Sequence, residues 1–116
     1  MKKSYRDLFV WRSSVEVAVR IATIADVLKE QRRYALADQM QRASVSVASN
    51  IAEGHGRLTP RERRHYLGQA RGSAYELETQ IEIATRIVSL PTEDVATIRD
   101  LNAKITYGLT KMIAQL

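Results

Sequence analysis

Residues 39–54 read Gln-Met-Gln-Arg-Ala-Ser-Val-Ser-Val-Ala-Ser-Asn-Ile-Ala-Glu-Gly, a stretch with more constraint than one face of a helix needs. At about 100° per residue, Leu36, Met40, Ala43, Val47 and Ile51 fall on one side, the stripe that a helical bundle buries. Ala37, Val45, Ala48 and Ala52 form a second apolar face, so this helix is expected to have two partners. Between the faces runs a polar line of Gln39, Arg42, Ser46, Asn50 and Glu53. Polar groups at buried positions must be paired. The line is therefore expected to make structural hydrogen bonds, within the bundle or between subunits, with Glu53 reaching Arg61 or Arg64 across the next turn; a binding role is the other reading.

Upstream, Trp11, Ser14, Ala18, Ile21, Ala25 and Leu28 recur at steps of three and four, and Val10, Val17 and Ile24 add a second stripe. The spacing predicts a helix over 8–29 with more than one buried side and with Trp11 in the core. The polar run Lys29–Arg33 reverses the chain, and a second helix spans 34–54, with Gly54 and Gly56 as left-handed residues that end it. Downstream, Thr59-Pro60-Arg61-Glu62 supplies a cap, a first-turn proline and a capping box. The third helix covers 60–89 on the seam Leu67, Ala70, Ala74, Leu77, Ile81, Ala84 and Val88. Inside it Gly68 and Gly72 each cost about 1 kcal/mol relative to alanine, and are expected where a neighbouring backbone passes closely. Leu90-Pro91 stops that helix. Thr92 caps a fourth over 93–115, with Glu93 and Asp94 in its first turn and Val95, Ile98, Leu101, Ile105, Leu109, Met112 and Leu116 as its stripe. Short links between four such helices predict an all-α, antiparallel up-down-up-down four-helix bundle, one domain over 1–116.

Composition narrows the function. A chain of 116 residues without cysteine excludes disulfides, thiolate metal sites and cysteine nucleophiles. Leu8 to Trp11 is too short an apolar run for a leader or a membrane span, which points to a cytoplasmic protein away from membranes. The net charge of +5 favours a polyanionic partner. Residues 1–33 carry eight Lys or Arg against four acids, including Lys2, Lys3, Arg6 and Arg12, and Arg57, Arg61, Arg63 and Arg64 gather beside His65. Cations at the start of a helix oppose its dipole. With the uncapped amides of that helix they would make a phosphate site; the alternative is a solvated face partly paired with Glu62.

Enzymatic constellations are absent from this reading. Glu62-Arg63-Arg64-His65 has a di-iron spacing, but such a bundle needs the motif twice with two further inward Glu residues, and the chain has two histidines. Glu53 and His55 have neither a nucleophile nor an orienting third group, and no glycine-rich loop follows a strand. No metal, cofactor or catalytic activity is expected.

Tyr5-Arg6-Asp7-Leu8 with Val10-Trp11, then Gln39, Arg42-Ala43, Ser46 and Asn50-Ile51-Ala52-Glu53-Gly54, and finally Ala70-Arg71-Gly72-Ser73 with Glu76-Leu77-Glu78-Thr79-Gln80 together resemble the four helix bundle protein family. Its members, also called intervening-sequence or S23-type proteins, are encoded within insertions of bacterial 23S ribosomal RNA genes. The resemblance spans nearly the whole chain. Ala35 stands where the family usually has glycine, and Val47-Ala48 replaces its isoleucine-proline pair, which weakens the kink expected in the second helix. The resemblance implies a ring-shaped homopentamer without enzymatic activity. The family is also similar to the accessory variability proteins of diversity-generating retroelements, basic pentamers that bind nucleic acid and a reverse transcriptase. The expected partners are therefore further copies of the chain, RNA or DNA, and a protein such as a reverse transcriptase; a protein–protein scaffold without nucleic acid is the alternative.

Overall fold

Local chemistry sets where each helix starts and stops. The computed structural model describes residues 4–116: a 3-10 turn at Tyr5–Asp7, then α1 (Phe9–Glu30), α2 (Tyr34–Gly56), α3 (Pro60–Ile87) and α4 (Thr92–Ala114). Ser4 caps the 3-10 turn, and the Asp7 carboxylate accepts from the Ser4 N–H at 3.0 Å to complete a capping box. α1 closes in a Schellman motif, with the Arg33 N–H on the Leu28 carbonyl at 2.8 Å and the Arg32 N–H on that of Lys29 at 2.9 Å. The motif puts Arg32 at φ 61°, a left-handed conformation that glycine usually takes.

Gly54 and Gly56, by contrast, do not end α2 in the left-handed region. No described glycine has a positive φ; the helix runs through Gly56 and stops at Arg57, whose backbone is extended at φ −78° and ψ 153°. At α3 the Thr59 hydroxyl accepts from the Glu62 N–H at 3.1 Å, and Pro60 follows as expected. The return bond to the Glu62 carboxylate is not formed, so half of the expected box is present. α4 starts one residue earlier than the spacing indicates: Pro91 precedes it, Thr92 lies inside it, and no side chain caps it.

The chain runs up, down, up and down, with α1 packed on α2 and α4 and α3 packed on the same two. Helices of 22 to 28 residues give a body 46 × 22 × 19 Å. The two stripes of α1 merge into one broad face, since Val10, Val17 and Ile24 are buried beside Ser14, Ile21, Ala25 and Leu28. Trp11 is half-buried at the edge of the core rather than within it. On α2, Ala37 moves from the second face into the core with Met40, Ala43, Ser44, Val47 and Ile51, while Leu36 is half-buried. What remains of the second face is Val45, 57% exposed, with Ala48 and Ala52 half-buried. Together with Val15 and Val19 of α1 it forms an apolar strip facing outward. α3 keeps its seam, adding Gln80. On α4 the buried residue is Asn102 rather than Leu101, and its amide donates to the Ala74 carbonyl at 2.9 Å, tying α4 to α3. One face of α3 meets α4 in a groove, with Glu82 at its rim. The Arg86 hydrogen bond, then the Arg86 charge, and to a smaller extent Arg99, hold the Glu82 carboxyl below the usual carboxylate range.

The glycines of α3 also depart from expectation. A Cβ on Gly68 or Gly72 would meet nothing within 4 Å, whereas on Gly108 it would lie 2.7 Å from Val10 Cγ1 and on Gly54 3.2 Å from Tyr66 Cβ. The close approaches are therefore α1 to α4 and α2 to α3, and Gly72 is exposed. Gly72→Ala is expected to raise stability by about 0.5–1 kcal/mol through helix propensity alone. Gly108→Ala is expected to lower it by about 1 kcal/mol, because overpacking against a stiff valine exceeds the propensity gain. Arg32→Gly should add about 0.5 kcal/mol by relieving the left-handed arginine, after its entropic cost. Denaturant titration of the three variants, with assembly state held constant, checks the order.

Candidate functional site

Two small side chains set the register of α2 against α3. The hydroxyls of Ser46 and Ser73 lie 2.9 Å apart, and the Asn50 amide donates to the Ser46 carbonyl at 2.9 Å and hydroxyl at 3.0 Å. Following that register toward the turn brings Gly54 against Tyr66; following it the other way brings Gln39 level with Gln80. The polar line is thus divided in its work. Ser46 and Asn50 with Ser73 form a hydrogen-bonded seam, and the Gln80 amide turns to Glu76 at 3.4 Å. Gln39 and Arg42 face solvent, Arg42 beside Asp38 at 3.0 Å on the same helix. Glu78 is exposed on the rim of the α3–α4 groove.

Glu53 does not cross to Arg61 or Arg64. It pairs with Arg57 at 2.8 Å, and the same guanidinium nitrogen donates to the Tyr66 hydroxyl at 3.0 Å. The guanidinium also lies 4.6 Å from the centre of the Tyr66 ring, a cation–π contact. The turn from α2 to α3 is thereby folded onto the first coils of α3. Arg63 tightens it, its Nε donating to the Arg57 carbonyl at 2.9 Å. Two of the four clustered arginines are therefore spent holding the turn, and Arg57 is half-buried rather than exposed. Arg61 is exposed and makes no hydrogen bond or ion pair with the described residues; Arg64 is exposed and reaches the Leu116 main-chain oxygen at 3.3 Å. The His65 ring stands edge-on to Tyr66 at 5.0 Å. Lys2 and Lys3 lie outside the described residues. Their neighbour Arg6 covers Tyr5 and Trp11, at 5.7 and 5.4 Å from the ring centres, while Arg12 donates to the Arg6 carbonyl at 3.2 Å.

Charge is segregated along the bundle. Divided at the level of the Ser46–Ser73 bond, the half holding the α2–α3 turn (4–19, 46–73 and 104–116) has nine Lys or Arg against four Asp or Glu. The other half (20–45 and 74–103) has seven against nine. There Arg20, Arg42, Arg86 and Arg99 all pair with carboxylates. The excess positive charge of the described chain therefore sits at one end. The residue of that end missed by sequence reasoning is Tyr66, which holds Arg57 through its hydroxyl and its ring. Its signal is its place one residue past the Arg-Arg-His run, but only the register shows that it meets Arg57 and, through it, Glu53. The Ser4-x-x-Asp7 capping pattern is legible in the sequence and was also missed.

Among the described residues no group of three His, Asp or Glu converges as a metal site would require, and no helix is long and apolar enough to cross a membrane.

A family model described as 23S rRNA-intervening sequence protein matches residues 6–111. Among solved structures, a protein of unknown function from the S23 ribosomal protein family of Bacteroides thetaiotaomicron is 27% identical, with a TM-score of 0.82 over 90% of this chain and 97% of that one. No curated protein matches.

The division of the arginines is testable by stability. Arg57→Ala removes the Glu53 ion pair, the Tyr66 hydrogen bond and a cation–π contact from a half-exposed site and is expected to cost about 1 kcal/mol. Arg61→Ala is expected to change stability by less than about 0.5 kcal/mol. Thermal denaturation of the two variants checks this.

Proposed function

The chain belongs to the 23S rRNA-intervening sequence protein family, and we propose that it is a non-enzymatic, oligomeric protein that binds RNA or DNA with the end of the bundle holding the α2–α3 turn. The observation that carries this reading is the charge division: nine cations against four acids at that end, seven against nine at the other. Internal pairing accounts for Arg57 and Arg63, whereas Arg61 and Arg64 stand in the first coils of α3, where the helix dipole makes them unfavourable in isolation. Phosphate would offset that cost at the guanidinium groups, with the Arg61 N–H the one first-turn amide of α3 left beside them, since Pro60 has none and Thr59 holds those of Glu62 and Arg63. Contacts to phosphate alone carry no sequence information, so binding is of weak sequence preference.

Self-association is the second part of the proposal. Val15, Val19 and Val45 leave an apolar strip facing outward on α1 and α2, which supports a contact with further copies of the chain. A cyclic ring, five-membered as the family resemblance implies, turns every basic end to the same side and so multiplies weak contacts.

Fluorescence anisotropy with labelled RNA and DNA tests the binding. Log affinity is expected to fall linearly with log salt. Arg61→Glu with Arg64→Glu should weaken binding and reduce the slope by roughly 0.7–0.9 for each phosphate that is no longer neutralised. Arg57 and Arg63 are left in place because they hold the turn. Absence of binding by the unaltered protein at low salt contradicts the proposal and leaves a protein–protein scaffold. Light scattering on the same samples should return a mass near five times 13.1 kDa, and a monomer would contradict the ring.

A further inference from the structure

Beside the basic cluster, the end of α2, the turn and the end of α4 surround a hollow of about 720 Å³. Its lining is mixed: Leu67, Met112 and Leu116 lie along it with Leu58 exposed at the turn, and His55, Arg57, Arg63 and Gln115 supply polar groups. We infer that this hollow receives an unpaired nucleobase, so that the nucleic acid bound at this end is single-stranded. The inference rests on the nucleic-acid reading above and adds to it the form of the partner.

The reasoning is complementarity on two counts. Phosphates need cations, and this end has them in excess. Phosphates do not need the leucines and methionine that line one side of the hollow, and a duplex presents phosphate and sugar on its outside with its bases stacked away; it would leave those side chains facing water. A single strand can turn a base inward while its flanking phosphates stay on Arg61 and Arg64. The volume lies within the roughly 300–1,000 Å³ range of ligand pockets. Leu58 is 89% exposed at the tip of the turn, so an apolar side chain is held in water next to guanidinium groups with nothing of its own chain to cover it. An inserted base would cover it. Arg63 uses its Nε within the turn, which leaves its terminal nitrogens to donate to base or phosphate oxygen. Every base offers an apolar face, so such a hollow adds affinity without demanding one sequence.

The test uses the full chain and three probes of equal length at low salt: an oligothymidine strand, an abasic strand with the same phosphates, and a duplex. Oligothymidine is expected to bind about tenfold tighter than the abasic strand, which corresponds to about 1.4 kcal/mol for the apolar side chains that a base covers, and tighter than the duplex. Leu58→Ser, at a fully exposed position, should bring oligothymidine toward the abasic strand and leave abasic binding unchanged. Equal binding of oligothymidine and abasic strand, or tightest binding of the duplex, overturns this inference while the nucleic-acid function stands. A base-dependent preference that survives Leu58→Ser overturns the hollow as its site. Binding of none of the probes removes the nucleic-acid reading and this inference with it.

Discussion

The close seam between α2 and α3 is the constraint on which the rest depends. Gly54 lets α2 approach until Tyr66 Cβ and Leu67 stand 3.2 and 3.3 Å from where a side chain would begin, and Ser46 meets Ser73 along the same line. Ala43, Ala70 and Ala74 are buried with little bulk on the two helices. Close approach of two backbones forces a short turn, residues 57–59, and a short turn forces Arg57 back over Tyr66. From there the first coils of α3 are held in one orientation by Glu53, Tyr66 and the Arg57 carbonyl. A rigid platform for Arg61 and Arg64 is thus a consequence of small residues several turns away.

That platform carries an electrostatic cost that the rest of the bundle avoids. In the half away from the turn, four of the six arginines pair with carboxylates on their own or a neighbouring helix, Arg20 with Asp94 and Arg99 with Glu82 among them, while Arg32 and Arg33 lie in the α1–α2 turn. The exposed pairs, such as Arg99 with Glu82, contribute little to stability, with a median of about 0–1 kcal/mol, and Arg20 with Asp94 is partly buried, but all of them neutralise. Near the turn the acids are too few to do the same. The nucleic-acid binding proposed for this end rests on that uncompensated positive charge.

Much of the fold was legible because helical seams repeat the same chemistry many times. The seam of α3 from Leu67 to Ala84 and the Thr59-Pro60 start survive intact. Single residues were harder. Gly72 within a helix signals either a close neighbour or an open face, and spacing alone does not choose; here the face is open. Arg32 adopts a left-handed conformation because the Schellman hydrogen bonds and the burial of Leu28 demand a reversal there, although nothing in an arginine announces it. Asn102 escapes a reading by periodicity because the stripe through Leu101 looks continuous, yet a hydrogen bond to Ala74 makes the polar residue the buried one. At the candidate site the charge is visible in the chain and its division is not. Which arginines are spent internally depends on Tyr66, nine residues from Arg57, and on the geometry of the turn between them.

We propose that nucleic acid binds at the one end of the bundle that holds the α2–α3 turn. Hydrogen–deuterium exchange read by peptide mass spectrometry tests it most directly, with the full chain alone and saturated with a short oligonucleotide. Slowed exchange is expected in peptides covering 55–68 and 109–116, while the α1–α2 turn around Arg32 keeps the exchange of the protein alone. Protection confined to the α1–α2 turn, or saturation that leaves 55–68 unchanged, would contradict the claim.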